Sequence, residues 1–332
     1  MNSALPALTI AIPTVNRLDL LKRALASALA QTVPVEVIVS DNGSSDGTDA
    51  YLASLQLPAN VRRFRHTTTM PVQRHGTFII SNVRTEWVVF LTDDDNLEPE
   101  FAAGVVQLIE ERPDVALVYT GCDLYFGDTA VPAKVGPRFE SAADFFFRFM
   151  DGKRNICLCA TAFRARDYRS IGQQPESCVI GDMYYWTRVL AAGGTVGCVV
   201  KRLSNYFFYW PGISTETNRT PVPLWTRESQ QLAAIMCASI LADGGTTYSP
   251  SDVERVRAKF LALTTSNQFA WNALRGAGKL ELLCSLASVA GIVFGDVGAP
   301  VRAIGAILLP RVILERRVLA HGRRLSRAAG RS

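Results

Sequence analysis

Histidine is scarce in this sequence: His66, His75 and His321 are the only three in 332 residues. The seven cysteines, Cys122, Cys157, Cys159, Cys178, Cys198, Cys237 and Cys284, include no C-x-x-C pair and cluster with no histidine. A zinc site is therefore not expected. An odd, unpatterned set of thiols reads instead as buried free cysteines of a reducing compartment. The N-terminal M-N-S-A-L-P-A-L-T-I-A-I-P lacks a basic region ahead of its apolar stretch, so it is expected to begin a fold and not a signal peptide. The excess of positive charge is also small. The net charge is +5, and Arg311, Arg316, Arg317, Arg323, Arg324, Arg327 and Arg331 of the tail supply much of it against Glu315. The basic character belongs to a tail, and nucleic acid is not an expected partner.

With 48% apolar and 20% charged residues, the chain has the composition of a globular protein with a sizeable core. Strand and helix patterns alternate along it. Leu8 to Ile12 reads as a strand ended by Pro13, and Asn16 reads as the cap of a helix carrying Leu18, Leu21, Leu25 and Leu29. Val35, Val37 and Val39 form a second strand that stops at Asp41 in D-N-G-S-S-D-G-T, followed by a helix from about Thr48 to Leu55. Trp87 to Leu91 is a third strand, Pro99 opens a helix with Phe101, Val105, Leu108 and Ile109, and Val115 to Tyr119 is another strand. Such alternation predicts a parallel, doubly wound α/β sheet, whose ligands bind beyond the carboxyl ends of the strands.

Pro13, Asp41 and the run Asp93-Asp94-Asp95 all follow apolar β runs, so they should meet on one rim. Three carboxylates at close range repel unless a cation sits among them. Hard oxygen ligands suit Mg²⁺ or Mn²⁺, which take one or two protein carboxylates and complete their shell from phosphate and water.

At these residues the sequence resembles the inverting family 2 glycosyltransferases with the GT-A fold. Four segments carry the resemblance over roughly the first 215 residues: L-T-I-A-I-P-T-V-N-R, V-I-V-S-D-N-G-S-S-D-G-T, E-W-V-V-F-L-T-D-D-D-N-L-E-P and I-G-D-M-Y-Y-W-T-R-V-L-A-A-G. The resemblance implies a Rossmann-like, mostly parallel central sheet with flanking helices. It implies that Pro13, Thr14 and Asn16 line a nucleotide pocket, that Asp41 bonds the base edge, and that Asp94 holds the metal, with Asp93 and Asp95 touching sugar hydroxyls, binding the metal through water, or joining it in a D-D-D register. Asn42, Ser44 and Ser45 are read either as loop caps or as ribose and sugar contacts. Asp182, opening a helix closed by Gly193 and Gly194, is implied to be the catalytic base, although it also suits an N-cap; Glu176 stands in reserve.

Three positions depart from the family pattern. Thr92 stands where the first aspartate of D-x-D is usual, Gly76-Thr77 replaces an Arg-Asn pair, and Trp210 replaces a histidine. Diphosphate contact is thereby shifted onto Arg74 or His75, and no third metal ligand is expected at Trp210. Tyr206, Tyr209 and Trp210 read either as core or as a surface for stacking an acceptor sugar or lipid.

Beyond about residue 220 the resemblance ends. Ser251 and Glu254 read as a capping box, with Val253, Val256, Phe260 and Leu263 continuing the helix. L-L-C-S-L-A-S-V-A-G-I-V-F-G and A-I-G-A-I-L-L-P-R-V-I-L are both shorter than the roughly 20 residues that span a bilayer. Together with the arginine-rich tail they suit either packing on the catalytic domain or lying on an anionic membrane. The expected organisation is a catalytic domain over 1–220 and a helical extension over 221–332. The expected function is metal-dependent inverting transfer of a sugar from a nucleoside-diphosphate sugar, UDP or dTDP favoured, to a saccharide or lipid-linked saccharide. It would serve surface-polysaccharide assembly, in the cytoplasm or peripherally on the inner face of the plasma membrane. A binding protein without catalysis and a nucleotidyltransferase are the alternatives; the latter lacks its Gly-rich basic loop at the first strand end.

Overall fold

A computed structural model of the chain describes residues 6–208, 220–242, 247–274, 277–293, 303–304 and 307. The strands are β1 (Leu8–Thr14), β2 (Glu36–Asp41), β3 (Val61–Arg65), β4 (Trp87–Phe90), β5 (Asn96–Leu97), β6 (Val115–Phe126), β7 (Thr129–Pro132), β8 (Phe139–Ser141), β9 (Thr161–Arg164) and β10 (Thr195–Phe208). The helices are α1 (Leu18–Leu29), α2 (Thr48–Ser54), α3 (Val72–Asn82), α4 (Phe101–Glu111), α5 (Ala142–Met150), α6 (Ala165–Ile171), α7 (Gly181–Ala191), α8 (Val222–Ala242), α9 (Pro250–Leu274) and α10 (Lys279–Val293).

The strands join one sheet in the order β3-β2-β1-β4-β9-β6-β10-β5. β3, β2, β1 and β4 run parallel, as do β6 and β10, but β9 enters antiparallel to both β4 and β6. The sheet is thus mixed and not uniformly parallel. β9 hid from sequence reading because it is only four residues long and buried throughout, so it shows no alternation. β1, β2 and β4 are almost wholly buried because helices cover both faces. One face packs α1 and α4 through Leu21, Leu25, Phe101, Val105 and Leu108, and the other packs Ile79 and Ile80 of α3. Leu29, expected on the buried stripe of α1, is instead exposed.

The helices after residue 220 share a core with the sheet domain. Phe145, Phe146 and Trp186 pack with Leu232, Met236 and Ile240 of α8 and with Val256 and Phe260 of α9. The cap of α9 falls two residues before the expected one: Ser249 Oγ accepts from Asp252 N at 3.1 Å and donates to Asp252 Oδ2 at 2.6 Å. Glu254, the expected partner of Ser251, pairs with Arg257. Among the described residues no helix is long and apolar enough to cross a membrane.

Candidate active site

Thr14 and Asp41 are register partners at the carboxyl ends of β1 and β2, which fixes two of the expected residues side by side. Asp41 is fully buried. Its Oδ1 accepts from Ser44 N at 2.9 Å, its Oδ2 has no hydrogen-bond partner, and Arg65 Nε stands 3.9 Å from that oxygen. A buried carboxylate oxygen without a donor costs stability.

The loops around Asp41 support one another. Asn16 is the one described non-glycine residue with positive φ, 52°, so it does not cap α1. Its N–H donates to Ser44 Oγ at 2.8 Å and its Oδ1 accepts from Ser45 N at 2.7 Å, which makes both serines loop braces. The helix is capped from a distance, Asp46 Oδ2 accepting from Leu18 N at 2.9 Å. Burial pushes the Asp46 carboxyl up, but the donors Thr48 and Leu18 prevail and hold it below the usual range. Asn42 does not present its amide to a ligand: Nδ2 donates to Met70 O at 2.9 Å and Oδ1 accepts from Met70 N at 3.0 Å. At Gly43, φ is 81° and a Cβ would meet the backbone of Thr68 and Thr69 at 2.9 Å. The missing side chain there admits a neighbouring loop, not a ligand.

The three aspartates have three environments. Asp93 is buried, with Oδ2 accepting from Thr14 Oγ1 at 2.8 Å and Oδ1 from Arg17 Nη1 at 2.8 Å. Burial raises its pKa, against the pull of Arg17 and Thr14. Asp95 turns inward: Oδ1 accepts from Phe207 N at 2.9 Å, and Thr92 Oγ1 donates to Oδ2. Burial first, then the charge of Asp94, push its carboxyl up to about 7. Thr92 is thus the partner that keeps Asp95 in the core, a role an aspartate there would not fill without repulsion. Asp94 alone keeps an accessible carboxylate, its side chain 20% exposed, with Oδ2 3.3 Å from Arg17 Nη1. Among the described residues no group of three or more His, Cys, Asp or Glu side chains is placed to hold a metal, so the run is not the three-carboxylate cluster its sequence suggests. One carboxylate, with the rest of the shell from a diphosphate and water, does fit the habits of Mg²⁺ and Mn²⁺.

Asp182 lies in the first turn of α7 with Oδ1 accepting from Met183 N at 2.8 Å. Burial lifts its pKa above the ordinary carboxylate value against that hydrogen bond. The loop entering α7 is fixed from α8, Glu228 Oε2 accepting from Val179 N at 2.8 Å and Ile180 N at 3.2 Å. Gly193 and Gly194 follow the helix with φ of 86° and 109°, as expected of a C-terminal cap. Tyr206 is partly buried and packs against the core. Burial raises its hydroxyl pKa most, and Asp95, Cys157, Asp182 and Asp94 raise it further by their charge.

The remaining expected contacts turn elsewhere. Arg74 pairs with Glu176, the reserve base, and His75 is buried with Nε2 2.8 Å from Ser40 Oγ. Pro13 is partly exposed beside Thr14. Tyr209 and Trp210 lie outside the described residues. Sequence reading missed Arg17, although it was the one cation in the first rim loop, and missed Glu228, which no local pattern marks.

The helix-covered mixed sheet is similar in fold to the GT-A type glycosyltransferases. Residues 9–172, just under half of the chain, match the family model Glycosyl transferase family 2. Glycosyltransferase AglE of Haloferax volcanii is 23% identical over 201 residues, 57% of this chain and 62% of AglE, so the match spans less than two thirds of that relative. S. aureus TarS 1-349 in complex with UDP-GlcNAc superposes with a TM-score of 0.60 at 12% identity, covering 94% of this chain and 92% of that one. Mannosyltransferase PcManGT from Pyrobaculum calidifontis, in complex with GDP-Man and Mn²⁺, gives 0.53 at 17% identity, covering 95% and 87%.

Proposed function

We propose that this protein transfers a sugar from a nucleoside-diphosphate sugar, UDP or dTDP favoured, to a hydroxyl of a saccharide or lipid-linked saccharide, inverting the anomeric centre. The observation that carries the reading is the meeting of strand ends at one rim, where Thr14 is the register partner of Asp41 and bonds Asp93, next to the more open carboxylate of Asp94. One carboxylate is available at the leaving-group end and another of raised pKa at the acceptor end. Asp41 receives the ring N–H of the base on its unpartnered Oδ2, and Thr14 holds Asp93 in the pocket wall. Asp182 takes the proton of the acceptor hydroxyl as that oxygen attacks the anomeric carbon opposite the departing diphosphate, a general-base role worth typically 10²- to 10⁴-fold. Holding both substrates in line supplies further acceleration. Asp94 is the residue that would hold Mg²⁺ or Mn²⁺, whose chemistry is to neutralise charge on the leaving diphosphate. Mn²⁺ accompanies GDP-Man in PcManGT.

A role in surface-polysaccharide assembly at an anionic membrane fits α10, where Leu280 is 75% and Leu283 50% exposed. The test of the donor reading is calorimetric titration of UDP, dTDP, GDP and CDP with and without Mn²⁺, repeated on Asp94→Ala. Metal-dependent binding of one nucleotide, lost in the variant, is expected; no binding by any of them would end the reading.

A further inference from the structure

Asp95 turns away to Thr92 and the N–H of Phe207, and the two aspartates left at the rim, Asp93 and Asp94, share a counter-ion that the chain itself brings. Arg17 Nη1 lies 2.8 Å from Asp93 Oδ1 and 3.3 Å from Asp94 Oδ2, and its side chain is 15% exposed. The two contacts are unequal in length and in setting. Asp93 is held at both oxygens, by Arg17 and by Thr14, and its side chain is 5% exposed. Asp94 is more open and its contact is long enough to be given up cheaply. The other side chains that sequence reading offered for the diphosphate are committed, Arg74 to Glu176 and His75 to Ser40.

Building on the donor reading, we propose that Arg17 is an exchangeable counter-ion. Without donor it occupies the anionic site beside Asp94 and keeps a divalent cation out; with donor it gives up Asp94 and binds the diphosphate, while its bond to Asp93 remains. Charge decides the direction. Asp93 and Asp94 against one guanidinium leave an excess of a single negative charge. A divalent cation added alone reverses that excess and stands within a few ångströms of Arg17, a repulsion of several kcal/mol at the effective dielectric of a protein surface. A diphosphate arriving with the cation supplies the compensating charge and offers oxygens to the planar fork of the guanidinium. Cation and nucleotide therefore bind cooperatively, and Arg17 is the side chain that couples them.

The test measures Mn²⁺ binding by the loss of the free-ion electron paramagnetic resonance signal, and UDP binding by calorimetry, in wild type, Arg17→Gln and Arg17→Lys. Glutamine keeps a donor for Asp93 and removes the charge; lysine keeps the charge and loses the fork. Circular dichroism melts verify that each variant is folded. In Arg17→Gln, nucleotide-free Mn²⁺ should bind at least about tenfold more tightly and metal-free UDP at least about tenfold more weakly, with the cooperativity between them reduced. Arg17→Lys should keep the weak Mn²⁺ binding of the wild type. Unchanged nucleotide-free Mn²⁺ affinity in Arg17→Gln, or unchanged UDP affinity, would overturn the proposal. If the wild type binds no nucleotide at all, it is the donor reading that fails, and the Mn²⁺ comparison still decides whether Arg17 holds the cation off.

Discussion

His75 offers a perturbation whose size follows from its surroundings. It is 3% exposed, its Nε2 lies 2.8 Å from Ser40 Oγ, and the His66 ring stands edge-on at 5.3 Å. Burial first, and the nearby charge of His66 second, lower its pKa from 6.5 to about 4. The native protein thus binds fewer protons than the unfolded chain between about pH 4 and 6.5, so this residue makes stability fall as pH falls through that window. At about pH 5 the unfolded chain is almost fully protonated at this site and the native protein is not, a loss of about 2 kcal/mol relative to neutral pH. His75→Gln keeps a partner for Ser40 and removes the titration. Urea unfolding at about pH 7.5 and about pH 5 should show a pH-dependent loss about 2 kcal/mol smaller in the variant than in wild type. Equal losses in the two proteins would refute the argument. Nucleotide affinity should not change, because the imidazole is spent on Ser40 and not on a diphosphate.

Other outcomes follow from the site. Asp182→Asn should lower kcat by about 10²- to 10⁴-fold with nucleotide affinity held within about twofold, and the acid limb of the wild-type kcat/KM profile should lie above the range of an exposed carboxylate because burial raises this group. Asp41→Asn should weaken nucleotide binding about tenfold or more by calorimetry without lowering the melting temperature, since it replaces a buried carboxylate whose Oδ2 has no donor. Glu228→Ala should cost about 1 to 3 kcal/mol in urea unfolding by stranding the N–H groups of Val179 and Ile180. It should also depress kcat through displacement of Asp182, with Glu228→Gln restoring part of both.

The linear sequence by itself determined the main elements and the rim. Local hydrogen bonding and apolar periodicity act over a few residues, so β1, β2, β4 and the helices that follow them are written in Leu8 to Ile12, Val35 to Val39 and Trp87 to Leu91. Ligand placement beyond strand ends then put Pro13, Asp41 and the aspartates together, and Thr14, next to Pro13, does bond Asp93 across 79 residues. What only the tertiary structure decided is the state of each charge. The three aspartates are identical in sequence, yet Asp93 is held by Arg17 and Thr14, Asp95 faces Thr92 and the N–H of Phe207, and Asp94 keeps only a longer contact with Arg17 and the most open carboxylate. Electrostatic free energy depends on distance and burial, which sequence order does not encode. The antiparallel entry of β9 and the reach of Glu228 to the start of α7 were likewise settled by contacts between segments far apart in the chain. Such contacts leave no period or spacing in the sequence.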